Sequence, residues 1–182
     1  MPFNPNIKHI PTIIDLVRGL EPKTIVDLGM GIGMVGYLIR ILVDVANSVW
    51  DGRTVHMEDW SMEIVGVEAY DKYITPVQIY IYDRIYTQDI YDFLLESEQE
   101  NRMADLCLFL DTIEHMEKAK GKAVLKLTKK LYSHTIVSTP TSFYEPKKIM
   151  DNELDRHVSH WSAKEIGGSL MYEDDSTTVC LR

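Results

Sequence analysis

Residues Ile25–Gly36, IVDLGMGIGMVG, pass from an apolar run through alternate glycines into a helical pattern. Ile25–Leu28 reads as a short buried strand, and Tyr37, Leu38, Ile41 and Leu42 recur at helical spacing beyond Gly29, Gly31 and Gly33. The order is strand, tight turn, helix. Glycine suits the turn because it takes positive φ without steric cost and lets a ligand approach the backbone with no Cβ in between. Asp27 stands near the carboxyl end of the strand. Its carboxylate would repel a phosphate at the helix N-terminus but would hold a ligand amine, which points to a nucleoside carrying positive charge.

Gly31, Gly33 and Gly36 also satisfy G-x-G-x-x-G, and Glu68 could then bind the ribose of NAD, as in an NAD-dependent oxidoreductase. Two details oppose this. Counted from Gly29, the first glycine after the strand, Met34 falls where the third glycine of the pattern belongs, and Glu68 comes later than the usual ~20 residues. A purely structural role for the glycines, in close strand-to-helix packing, is the other alternative.

The segment DLGMGIG is followed by Glu68, ending a second strand in IVGVEAYD, and by Asp89 after a third. Together these resemble the class I S-adenosylmethionine-dependent methyltransferases, over nearly the whole chain. The resemblance implies a glycine turn beneath the methionine part of the cofactor, an acid holding the ribose hydroxyls and another acid near the adenine. Asp27, Gly29, Gly31, Gly33, Glu68, Asp89, Ile90 and Asp111 are then the cofactor positions. The implied activity is methyl transfer from S-adenosylmethionine to an oxygen or nitrogen of a small-molecule or glycan acceptor. A non-catalytic nucleoside-binding regulatory module is the alternative from a different class.

With 182 residues, 45% of them hydrophobic and 26% charged, the chain suits one domain, 1–182, with a real core. A net charge of -9 argues against nucleic-acid or anionic-membrane partners, which are bound by neutralising phosphates. Cys107 and Cys180 show no metal or redox spacing and read as reduced core residues. With no signal-peptide pattern at the N-terminus and no ~18-residue apolar segment, a cytoplasmic protein is expected. Its oligomeric state is left open, a homodimer included.

Ile7, Ile10, Ile13, Ile14, Val17 and Leu20 recur at helical spacing up to Pro22, predicting a helix over one edge of the sheet. An insertion at about 47–62, with the Asp51-Gly52 turn signal, precedes the second strand, and its Trp50, His56 and Trp60 either pack on the domain or meet a substrate or partner. Residues 70–91 hold six of the ten tyrosines and read as a helix and a third strand. Ala104–Leu110, ADLCLFL, is a strand buried on both faces. The lysines at 118–130 read as the solvated face of a helix. A fifth strand, a long loop over about 141–161, a helix capped by Ser162 and a terminal hairpin complete the chain. The fold class is therefore α/β: a Rossmann-like three-layer sandwich around a mostly parallel seven-stranded sheet, with one antiparallel strand in the C-terminal hairpin.

Ligands of open α/β sheets bind beyond the carboxyl ends of the strands, which places Asp111-Thr112-Ile113-Glu114-His115 where chemistry is expected. His115 is the leading base, since unperturbed histidine titrates near neutral pH, and D-x-x-E-H resembles a segment of many small-molecule methyltransferases. His157, His160 and Trp161 are expected to cross the cofactor mouth and face the reacting methyl with His115. A metal on His157-x-x-His160 with Asp155 lacks the glutamate of a zinc-protease pattern, and no metal is expected.

Overall fold

The computed structural model describes residues 7–46, 57–142 and 152–182; Trp50 and His56 of the expected insertion and positions 143–151 of the expected cover lie outside these. In chain order the elements are α1 (Ile10–Leu20), β1 (Thr24–Leu28), α2 (Met34–Ile39) continued by a π-helical stretch Arg40–Val45, β2 (Glu63–Val67), α3 (Pro76–Ile81) and β3 (Arg84–Tyr86). They continue as α4 (Ile90–Gln99), β4 (Ala104–Leu110), α5 (Lys118–Leu131), β5 (Tyr132–Pro140), α6 (Ala163–Ile166), β6 (Ser169–Glu173) and β7 (Thr177–Leu181). The sheet order is β3-β2-β1-β4-β5-β7-β6. The first five strands pair in parallel, and β7 runs antiparallel to both β5 and β6. This is the expected seven-stranded α/β sandwich with one reversed strand.

Strands buried on both faces need an apolar layer on each side, and two buried clusters supply them. One joins α4, α5 and α6 to the sheet through Phe93, Leu94, Val124, Leu125 and Ile166. The other joins α1 and α2 through Ile13, Ile14, Val17 and Ile39. Cys107 and Cys180 are both buried and free, as expected. Ile13, Ile14 and Val17 share their cluster with Ile25, Leu106, Ile136 and Val179 of four strands, so α1 lies over a face of the sheet and not along its edge. Ile7 precedes this helix and is exposed.

The helix after the glycines buries a different face from the one its apolar residues predict. Tyr37, Ile41 and Leu42 are exposed, whereas Ile39, Arg40, Val43 and Asp44 point inward. From Arg40 on, the π-helical stretch alters the residues-per-turn count, with Val43 and Asp44 facing inward and Ile41 and Leu42 facing out. Arg40 is fully buried, and its guanidinium donates to Asp44 Oδ2 (2.6 Å), Met62 O (2.7 Å), Ile81 O (3.0 Å) and Asp83 Oδ2 (2.8 Å). It therefore ties this helix to the entrance of β2 and the exit of α3. Trp60 lies against the same guanidinium at 4.2 Å and edge-on to Tyr80, so it packs the end of the insertion onto the domain.

A buried cation with this many acceptors destabilises strongly when removed, because its carboxylate and carbonyl partners remain desolvated. Arg40→Ala is expected to cost about 3 to 5 kcal/mol in urea unfolding. Arg40→Lys should recover only part of that, since an ammonium group lacks the planar fork that spans acceptors on separate elements.

Candidate functional site

The three glycines of the opening stretch have φ of 75°, 54° and 74° at Gly29, Gly31 and Gly33, in the left-handed region that favours glycine. Gly29 N and Met30 N both donate to Val67 O, at 2.8 and 3.1 Å, which locks the turn to the end of β2. A Cβ on Gly29 would come within 2.6 Å of Thr112. Close approach and positive φ therefore both require glycine there. Gly33 caps α2 and faces Gln78 and Tyr82 of the neighbouring helix, so it supports the turn from behind.

Glu68 leaves β2 buried, with Oε2 accepting from Gly31 N (2.9 Å) and Oε1 from Tyr70 N (2.8 Å). Burial raises its pKa, and those two N–H groups oppose the rise. Asp89 caps α4 through Tyr91 N (2.8 Å), and its other oxygen meets Lys120 Nζ at 2.7 Å. Lys120 is thus part of the site rather than of a solvated lysine face. Gly29, Glu68, Asp89, Ile90 and His115 line one cleft of about 330 Å³. It opens at the carboxyl ends of the strands, where the order reverses between β1 and β4, and its size suits a small molecule.

Asp27 and Asp111 fall outside this cleft, in a small adjoining recess with His9 and Met30. Asp27 accepts from Tyr82 Oη at 2.7 Å, and burial pushes its pKa up to about 6 against that hydrogen bond. Asp111 has a φ of 44°, with Oδ1 accepting from Ser138 Oγ (2.9 Å) and Oδ2 3.9 Å from His9 Nε2. Its carboxylate is directed towards β5 and α1. The resemblance placed Asp111 by the cofactor, and the left-handed turn at the end of β4 sets its carboxylate in the recess shared with Asp27, against Ser138 and His9.

The far part of the expected cover crosses the cleft. Asn152, Leu154, Asp155 and Val158 line its other wall, and Tyr73 Oη donates to Asp155 Oδ2 at 2.5 Å. Val158 N and Ser159 N donate to Glu114 O at 2.9 and 3.0 Å, and His115 Nδ1 lies 3.1 Å from Arg156 O. A carbonyl can only accept, so Nδ1 of His115 carries the proton and Nε2 keeps its lone pair. Burial lowers the pKa of His115 to about 3, which corrects the expectation of a base titrating near neutrality.

The three histidines part company here. His157 is buried with its ring 5.0 Å from that of His115. His160 is exposed and turned towards Thr141 O at 2.9 Å. Trp161 is buried, donates to Ser159 Oγ at 2.7 Å and packs where Gly121 leaves room. His160 and Trp161 therefore do not join His115, in contrast to the sequence expectation. Adjacent side chains of an extended segment point to opposite sides, and contacts with Glu114 select which ones face in.

Ligand atoms of Glu114, His115 and His157 lie within 4.8 Å of one another. Glu114 is buried, and burial pushes its pKa up to about 8. One carboxylate and two imidazoles form an N/O donor set that suits a divalent transition-metal ion, and the His115–Arg156 contact is the kind that orients a ligating histidine. The expectation of no metal took His157 with His160 and Asp155. The fold instead pairs His157 with Glu114 and His115, while Asp155 serves Tyr73.

No family model and no curated protein matches this chain. Among solved structures it is similar to the methyltransferase domain of bacterial CtHen1, with a TM-score of 0.58 and 18% identity over 98% of each chain. It is also similar to a hypothetical protein of Thermus thermophilus, with a TM-score of 0.61 and 13% identity over 97% of this chain and 85% of that one. A magnesium protoporphyrin IX methyltransferase from Synechocystis PCC 6803, solved with bound SAM, gives 0.56 and 14% over 96% and 77%. Identities this low establish the fold alone, and that fold is the α/β architecture also seen in these methyltransferases.

The raised pKa of Asp27 makes a pH-dependent prediction. The folded protein holds the Asp27 proton more tightly than the unfolded chain, so the group destabilises as pH rises from about 4 to about 6 and leaves a constant cost above that. At about 1.4 kcal/mol per pKa unit the ceiling is near 3 kcal/mol. Asp27→Asn should therefore gain stability relative to wild type on going from pH 4 to pH 8 in urea unfolding. A stability difference that does not change with pH would show that Asp27 ionises freely.

Proposed function

We propose that this chain, as one domain over 1–182, transfers a methyl group from S-adenosylmethionine to an oxygen or nitrogen of a small-molecule or glycan acceptor. The observation that carries the reading is the convergence of Gly29, Glu68, Asp89 and His115, from the ends of four neighbouring strands, on one cleft. Each oxygen of Glu68 takes one backbone N–H, which leaves lone pairs able to accept from two ribose hydroxyls. Asp89 and Ile90 line the same cleft, where an adenine would stack on the apolar side chain. Asp27 lines the recess beside Gly29, where a ligand amine would draw its pKa back down.

The bound cofactor supplies an electrophilic sulfonium methyl. The acceptor lone pair would take the methyl as sulfur leaves as the neutral thioether, and the acceptor proton would pass to solvent water. His115 Nε2, buried and with no hydrogen-bond partner among the described residues, can accept that hydrogen bond and orient the acceptor. A divalent ion held by Glu114, His115 and His157 would instead take that Nε2 lone pair and lower the pKa of a coordinated acceptor hydroxyl. His160 has no part in this arrangement.

Calorimetry with S-adenosylhomocysteine should give micromolar binding and none for NAD; the reverse result would overturn the reading. Glu68→Ala should weaken that binding about tenfold or more, since buried hydroxyls left unpaired cost ~1 to 3 kcal/mol. Product-nucleoside binding without turnover on any acceptor pool would instead indicate the regulatory module.

The metal-ligand assignment has its own readout. Mn2+ or Co2+ should raise the unfolding temperature of wild type and of His160→Ala but not of His115→Ala, with the gain reversed by a chelator. Equal responses from all three proteins would remove the Glu114–His115–His157 site.

A further inference from the structure

A second cavity, of about 160 Å³, lies at the opposite edge of the sheet. Its lining includes Thr24, Glu63, Arg84, Ala104 and Tyr132, the first residues of β1, β2, β3, β4 and β5, so it is separate from the cleft at the carboxyl ends. Its inner wall is apolar, with Val65, Tyr86 and Phe93. For scale, a cavity of about 150 Å³ lined by apolar side chains accommodates benzene.

Two of the lining residues carry buried hydroxyls. Ser97 is 1% exposed and Tyr132 6% exposed, and neither hydroxyl oxygen has a hydrogen-bond partner among the described residues. Ser97 lies on the buried face of α4 with Ile90, Phe93 and Leu94, where an alanine would pack without that loss, and phenylalanine would serve for packing at Tyr132. Leaving a buried hydroxyl unpaired is unfavourable, so the pair calls for an acceptor. Burial raises the pKa of Tyr132, which keeps its hydroxyl a donor.

The charge at the mouth indicates the acceptor. Arg102 lies over the rings of Tyr86 and Phe93, at 5.3 and 5.4 Å, and its surface partners are Glu100 (2.9 Å) and Glu96 (3.8 Å), both well exposed. The Arg102 Nε approach to Glu100 is close but out of line for a hydrogen bond. Arg84 is paired with Glu63, and Arg102, which shares its charge with Glu96 and Glu100 at the surface, is the cation that lies over the aromatic wall. In a chain of net charge -9, this is an aromatic-walled cavity with an arginine at its mouth.

We propose that this cavity binds a small organic monoanion with a ring-sized apolar body, such as an aromatic carboxylate. The ring rests against Phe93, Tyr86 and Val65, and the carboxylate accepts from Ser97 Oγ, Tyr132 Oη and the Arg102 guanidinium. The site is independent of the methyl-transfer reading.

Benzoate is the probe. Calorimetry on the full chain should show one saturable site at about millimolar affinity or tighter, and benzyl alcohol should bind at least about tenfold more weakly because it brings no anion. Amide resonances of Met103 and Ala104 should shift on titration while those of Gly29 and Thr112 stay in place. Tyr132→Phe, an isosteric change, and Arg102→Gln should each weaken benzoate about tenfold with the fold retained by circular dichroism. No saturation by about 10 mM, undiminished binding in both variants, or shifts confined to Gly29 and Thr112 would each overturn the proposal.

Discussion

The glycine turn between β1 and α2 is the constraint on which the arrangement depends. Two successive N–H groups, from Gly29 and Met30, converge on the single carbonyl of Val67, and the Thr112 side chain fills the space where a Cβ of Gly29 would be. The exits of β1, β2 and β4 are thereby brought within contact of one another. Glu68 then follows Val67 directly into the cleft and is held there by Gly31 N. A side chain at position 29 would need both a strained φ and a displaced Thr112, so the turn and the cleft are one structural decision.

Burial governs the electrostatics of this edge. Asp27, Glu68 and Glu114 are carboxyls whose pKa is raised mainly by loss of solvent, and His115 is an imidazole lowered by the same cause. Each is therefore biased toward its neutral form until a partner of opposite charge arrives. The amine of a nucleoside ligand is such a partner for Asp27, and a divalent ion for Glu114, while His115 would ligate that ion in the neutral form it already favours. By contrast, the Lys120–Asp89 pair is half-exposed and screened, so it orients the cleft wall more than it stabilises the fold.

Arg40 shows the same physics used for structure. Its charge is tolerated inside because four acceptors surround it, one on its own helix, one before β2 and two at the exit of α3, and no apolar side chain of similar volume would connect those segments. Arg40 and Asp44 form an i, i+4 pair, a kind that usually lies on the outside of helices. Nothing in the local sequence announces the π-helical stretch that turns this pair inward. No helix among the described residues is long and apolar enough to cross a membrane.

The sequence by itself determined the alternation of strands and helices, the reversed last strand, the glycine turn, and the positions of Glu68 and Asp89 at strand exits. These follow from apolar periodicity, from the φ that only glycine takes cheaply, and from capping residues such as Ser162 and Asp89, all of which act over a few residues. The tertiary structure alone decided that His157 and not His160 meets His115, that Asp111 turns away from the cleft, and that Lys120 turns towards it. Those outcomes rest on contacts between segments distant in sequence, such as Val158 and Ser159 on the Glu114 carbonyl and Ser138 on Asp111. Periodicity reports which residues are buried, whereas the partner that each one meets is set by how those segments pack.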